Sequence, residues 1–96
     1  MKYLEQYGLS EKEIDKIYEG LTYEEWLAIS TYRTRIEGIL EYFKSIGIDN
    51  IKNIFSEAPH IFLYSENEVK KLFNECNDSE IVSKINDDAM NIDLLF

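Results

Sequence analysis

At 96 residues the chain has the length of one domain, and an apolar fraction of 45% with 14% aromatics excludes a disordered polyelectrolyte. The net charge of −9, from 19 acids against 10 bases, opposes phosphate backbones and anionic lipid at long range. Cys76 is the only cysteine, so an internal disulfide is excluded and a reducing compartment fits.

No apolar run follows Lys2 to suggest a signal peptide, and no stretch approaches the ~20 apolar residues of a membrane helix. A cytoplasmic protein with no membrane partner is therefore expected. The charge is uneven. Residues 1–41 carry nine acids and five bases, residues 42–73 carry four of each, and residues 74–96 carry six acids and one base. An anion-binding surface, if there is one, belongs to the middle third.

Helix punctuation is dense along the chain. Ser10-Glu11-Lys12-Glu13 reads as a capping box, in which a hydroxyl takes the third amide and a carboxylate reaches back. Gly20 is placed to end that helix in the left-handed conformation. Thr22-Tyr23-Glu24-Glu25 forms a second box and opens a helix expected to run to Ile46, with Gly47 as its stop. Ile29, Tyr32, Ile36, Ile39, Phe43 and Ile46 alternate steps of three and four and so share one face. That face suits a coiled-coil seam or the buried central helix of a small bundle. The bundle is favoured, because the heptads stop at Gly47.

Asp49 is the expected N-cap of a short helix that must end before Pro59. His60-Ile61-Phe62-Leu63-Tyr64 reads as a buried turn between helices. Ser65-Glu66-Asn67-Glu68 is a third capping box, Asn77 a left-handed stop, and Asp78 or Ser79 the start of a last helix toward Asp87. The expected core runs from Leu4, Ile14, Ile17, Trp26 and Ile29 through the apolar face of the long helix. It continues in Leu40, Ile51, Ile54, Phe55, Phe62, Val69, Leu72, Phe73, Ile81 and Ile85.

Residues 42–55 and 72–85 align without a gap. Phe43 meets Phe73, Ile46 meets Cys76, Gly47 meets Asn77, Asp49 meets Ser79, Ile51 meets Ile81 and Phe55 meets Ile85. In residues 3–17, Tyr3, Gly8, Ser10, Ile14 and Ile17 take the same roles with a small insertion. A helical unit of roughly 30 residues cannot bury its own apolar face, so neighbouring units must stack. The expected fold class is all-α, a single domain spanning 1–96, built as a compact array of five or six helices from two to three stacked repeats.

Within this pattern residues 42–73 are similar to one repeat of the mitochondrial transcription termination factor family. The matching residues are Gly47, Ile51, Ile54, Pro59, Ile61, Leu63, Ser65, Val69 and Leu72. The resemblance implies an α-solenoid with a concave nucleic-acid-binding face. The chain departs from that family in being short, acidic and without a targeting peptide.

Catalytic chemistry finds little material. His60 is the only histidine, which excludes a triad or a histidine-rich metal site within one subunit, and it reads as a junction residue. Cys76 occupies an apolar position in the repeat. The four glycines are dispersed, so there is no phosphate loop, and Asp78 to Asp93 fit no calcium-loop register. Glu24-Glu25 and Asp87-Asp88 are adjacent pairs that diverge on a helix. The expectation is a non-enzymatic protein with no cofactor and no metal.

What remains is binding. Seven tyrosines, five phenylalanines and one tryptophan exceed what so small a core can hold, and surplus aromatics make binding anchors. The leading expectation is an interaction module that binds a protein partner or self-associates through the 29–46 face. The alternative is a nucleic-acid-binding regulator whose binding surface is drawn from Arg33, Arg35, Lys44, Lys52, Lys70 and Lys71. In that case Tyr32 or Tyr64 would serve for base stacking.

Overall fold

In a computed structural model, which describes residues 2–96, the chain runs through η1 (Lys2–Tyr7), α1 (Glu11–Gly20), α2 (Tyr23–Thr31), α3 (Arg33–Ser45) and α4 (Ile51–Glu57). It continues through η2 (Pro59–Leu63), α5 (Glu66–Glu75), α6 (Ile81–Asp87) and η3 (Ala89–Leu94), where η marks a 3-10 helix. Among the described residues there is no strand. No helix is long and apolar enough to cross a membrane.

All three capping boxes form. The Ser10 hydroxyl accepts the Glu13 amide while the Glu13 carboxylate accepts the Ser10 amide, and Thr22 with Glu25 and Ser65 with Glu68 do the same. Each box satisfies an orphan N–H of the helix and one preceding it, within four residues of chain, so these starts are locally encoded. Gly47 ends α3 as expected, at φ 95°. The Gly47 amide donates to the Lys44 carbonyl and the Ile48 amide to the Phe43 carbonyl, the pair of hydrogen bonds of a Schellman turn. Gly8, at φ 87°, ends η1 in the same left-handed region. Both glycines deliver a buried apolar residue, Leu9 and Ile48, into the core.

Other stops and starts differ from expectation. Gly20 stays helical, and the chain leaves α1 extended at Leu21. Asn77 is not left-handed, since α5 ends at Glu75 with Cys76 extended as its cap. Neither Asp49 nor Ser79 caps a helix. Asn50 precedes α4 and Glu80 precedes α6, both without a side-chain cap bond, and it is the Asp78 carboxylate that accepts the Glu80 amide.

The largest correction concerns the helix expected from Thr22 to Ile46, which breaks at Tyr32 (φ −99°, ψ 54°) into α2 and α3. In a continuous helix the Ile29 carbonyl would take the Arg33 amide. Here it accepts the buried phenol of Tyr3, from η1. A bond from 26 residues away thus replaces a local one and lets α2 turn off the line of α3. Burial pushes the Tyr3 phenol far above its ordinary pKa, so it keeps the proton it donates.

The break sends the two helices to different partners. α2 packs on η2, whereas α3 packs beside α5. α1 lies against η1 and α4, and η3 bridges α4 and α6. Among the described residues one apolar cluster joins all of these elements, with Ile29, Ile36, Ile39, Leu40, Phe43, Ile54, Ile61, Phe62 and Ile85 fully buried. At its centre Phe55 and Phe62 stack with ring centroids 4.3 Å apart. The radius of gyration, 12.5 Å, is that of a close-packed domain of this length.

Since Ile29, Ile36, Ile39 and Phe43 are consumed inside one molecule, the 29–46 face offers neither a coiled-coil seam nor a self-association surface. Tyr32, expected on that face, is 51% exposed. The expected core is otherwise accurate, except that Trp26, Ile46 and Leu72 are only partly buried. Tyr3, Leu9, Ala28, Ile48, Ala58, Ile61, Ala89 and Ile92 join it.

Candidate interaction surface

The six basic residues singled out in the sequence are mostly held by neighbours. Arg33 Nε sits 2.8 Å from Glu37 Oε1 and its guanidinium lies 5.3 Å from the Tyr3 ring centroid. Lys52 reaches Glu13 on α1 at 3.1 Å, joining α4 to α1. Lys70 pairs with Glu66 at 3.7 Å and Lys71 with Glu75 at 4.0 Å, both one helical turn apart.

Lys44 stands 3.9 Å from Glu41 and over the Tyr7 ring. The Tyr7 phenol donates to the same carboxylate, and desolvation, then that bond, push its pKa up to about 12. Arg35 has no acid partner among the described residues. Its guanidinium donates to the Phe62 carbonyl at 3.2 Å and covers one face of Tyr32 at 4.6 Å. It therefore ties α3 to the end of η2. Of the two tyrosines considered for base stacking, Tyr32 carries Arg35 and Tyr64 packs on Phe96 with centroids 5.0 Å apart.

His60 is partly exposed on η2, its Nε2 2.6 Å from Asp93 Oδ1 on η3. The contact is a junction between two 3-10 helices, and among the described residues no third His, Cys, Asp or Glu completes a metal-binding group. Cys76 is half-buried against the core, with Sγ 3.8 Å from the Asp78 carbonyl.

A different surface is formed by α1 and α2. Tyr18 on α1 and Tyr23 and Trp26 on α2 form an aromatic cluster. Tyr18 meets Trp26 edge-on and Tyr23 stacks on it, each with centroids 6.0 Å apart. Tyr18 is 49% exposed and Tyr23 is 73% exposed, so the cluster faces solvent. Two depressions flank it, and Tyr18 and Trp26 line both. The larger, about 470 Å³, is also lined by Lys2, Glu5, Glu11, Ile14, Asp15 and Ser30. The smaller, about 350 Å³, is completed by Leu21, Thr22 and Tyr23.

The fold explains why these side chains meet. Glu11, Ile14, Asp15 and Tyr18 recur at helical spacing along one side of α1, and Trp26 and Ser30 lie one turn apart on α2. The extended exit at Leu21 and the capping box at Thr22 fold α2 back from α1, which opens a cleft where a straight helix would have exposed a ridge. Glu11, Asp15 and Tyr18 share one side of α1 by their spacing alone. Their meeting with Trp26 depends on the α1–α2 turn, and the sequence reading placed Trp26 in the core instead.

Compared with protein-family models, with curated proteins and with solved structures, the chain finds no match in any of the three.

Proposed function

We propose that this protein is a small non-enzymatic helical module that binds a protein partner through the Tyr18–Tyr23–Trp26 surface. The observation that carries the reading is a contiguous aromatic cluster between two depressions, with Tyr18 and Tyr23 exposed and Trp26 partly buried beneath them. Such side chains bring large contact area at low entropic cost and are enriched where binding energy concentrates. The depressions have the size range of small recognition pockets. The recurrence of a short helix and a 3-10 helix thirty positions apart, α4–η2 and α6–η3, supports a scaffold of stacked helical units for such a surface.

The test is affinity capture with the tagged full chain, read by quantitative mass spectrometry against Trp26→Ala and Tyr23→Ala proteins whose folding is checked by circular dichroism. A partner that the parent retains and both variants lose supports the module. Partners retained equally by all three proteins would refute the surface.

The alternative, a nucleic-acid-binding regulator, draws on the likeness of residues 42–73 to a transcription termination factor repeat. Anisotropy titration of labelled DNA and RNA at low salt decides it. Salt-reversible binding that is lost when Arg33, Arg35, Lys70 and Lys71 are replaced by Glu would favour this reading over the protein-binding one.

A further inference from the structure

Resting on the protein-binding reading, we propose a chemistry for the partner. The larger cleft, between η1, α1 and α2, receives the guanidinium of an arginine in a basic protein segment. An apolar side chain next to that arginine lies in the smaller groove beyond Trp26.

Four observations support this occupant. The cleft wall is aromatic, made by Tyr18 and the partly buried Trp26, and a guanidinium is planar and weakly hydrated enough to lie against such rings. The rim carries three carboxylates, Glu5, Glu11 and Asp15, against one ammonium, Lys2. Among the described residues none of those carboxylates is in an ion pair, whereas Glu13, Glu37, Glu41, Glu66 and Glu75 each hold a lysine or arginine. The acids of this cleft are therefore available to an incoming cation.

Finally, the adjoining groove lined by Leu21, Tyr23 and Trp26 has no charged side chain, which suits an apolar neighbour of the arginine. The same carboxylates repel the phosphates of a nucleic acid. An isolated metal ion lacks a ligand set, since no three His, Cys, Asp or Glu converge among the described residues. The chain's own arginines are engaged, Arg33 with Glu37 and Arg35 with the Phe62 carbonyl, so a basic segment of another protein fits better than a second copy.

Trp26 is the only tryptophan and reports directly on the cleft. The probe is an acetylated, amidated peptide alternating arginine and leucine, which has no aromatic residue and leaves the emission to Trp26. Its control carries citrulline, the uncharged isostere, in place of arginine. The expected result is a saturable change in Trp26 emission, with the citrulline peptide at least about tenfold weaker.

Glu11→Gln with Asp15→Asn weakens binding about tenfold, Lys2→Gln tightens it about twofold, and Asp87→Asn on α6 leaves it unchanged. Circular dichroism confirms that each variant folds. The Lys2 variant, on the exposed rim, gives a gain that misfolding cannot mimic.

Absence of saturation, equal binding of the citrulline peptide, or equal weakening by Asp87→Asn overturns the proposal. A dimer in equilibrium sedimentation that changes Trp26 emission without peptide overturns it in favour of a second copy. A response to a single-stranded oligonucleotide overturns it in favour of nucleic acid. If the peptide fails but capture still returns a partner dependent on Tyr23 and Trp26, only the arginine assignment falls. If both fail, the protein-binding reading falls with it.

Discussion

The segments 42–63 and 72–93 place the same elements thirty positions apart, yet they hold their turns by different means. α4 spans Ile51–Glu57 and α6 spans Ile81–Asp87, each followed by a 3-10 helix, and α3 and α5 end at Ser45 and Glu75. Some buried positions correspond as well, Phe43 with Phe73, Ile51 with Ile81, Phe55 with Ile85 and Phe62 with Ile92, whereas buried Ile48, Ile54, Ala58 and Ile61 meet the polar Asp78, Lys84, Asp88 and Asn91. The connections do not correspond. The first turns through Gly47 in the left-handed region, while the second leaves its helix extended at Cys76 and is pinned by Asp78, which accepts the Glu80 amide and pairs with Lys84 at 2.6 Å. Apolar spacing dictates where helices lie. The loop between them follows whichever cap its own residues and neighbours provide.

Core truncation should give the largest effect and the clearest asymmetry. Phe43 is fully buried and Phe73 is 9% exposed, with ring centroids 5.7 Å apart. Phe43→Ala is expected to cost about 3–5 kcal/mol by urea denaturation and Phe73→Ala about 2–3 kcal/mol, because the rim position collapses and rehydrates more easily. Equal losses would mean that the two units are packed alike.

The stops come next. Gly47→Ala puts a Cβ into a left-handed backbone and should cost about 1–2 kcal/mol. Asn77→Gly should not stabilise, since Asn77 has no positive φ to relieve. A gain in melting temperature for Asn77→Gly would show that the second turn is left-handed in solution after all.

A smaller effect tests how the segments hold each other. Asn86 on α6 donates to the Gly47 carbonyl and accepts the Asp49 amide, both at 2.9 Å, and Asn50 returns a bond to the Ile85 carbonyl at 2.7 Å. Ser56, thirty positions before Asn86, only bonds back to Lys52 within its own helix. Asn86→Ala should cost about 1 kcal/mol, and Ser56→Ala close to nothing. Hydrogen exchange at the Asp49 amide should accelerate in the former alone.

The smallest effect is electrostatic. The amide and hydroxyl of Ser10, with Lys52, hold Glu13 below its ordinary 4.5, and Lys84 with the Glu80 amide holds Asp78 below its ordinary 3.8. For a carboxylate with a depressed folded pKa, the contribution is present above the unfolded value and is lost as pH falls through the folded one. Stability should therefore decline below about pH 4. Glu13→Gln and Asp78→Asn should each flatten that decline, as followed by melting temperature between pH 6 and pH 2.5. An unchanged slope in both would place the acid sensitivity elsewhere.

Much of the fold was legible because its signals are short-ranged. The three capping boxes each need four residues, Gly47 needs only its own conformational freedom, and the 3–4 spacing of Ile36, Ile39 and Phe43 needs one helix. The candidate cleft was half legible. Glu11, Asp15 and Tyr18 share a helical face by spacing alone, but the direction in which α2 leaves Leu21 decides that Trp26 joins them.

By itself the sequence determined the helical class, the three helix starts at Ser10, Thr22 and Ser65, the stop at Gly47 and most of the core, since caps and apolar periodicity act within one or two turns of chain. Only the tertiary structure decided the break at Tyr32, because the Tyr3 phenol that takes the Ile29 carbonyl comes from another element. It also decided that Arg35 pins η2 and that His60 meets Asp93. It decided as well that Trp26 lines a cleft and not the core, as each depends on partners brought together only when the helices pack.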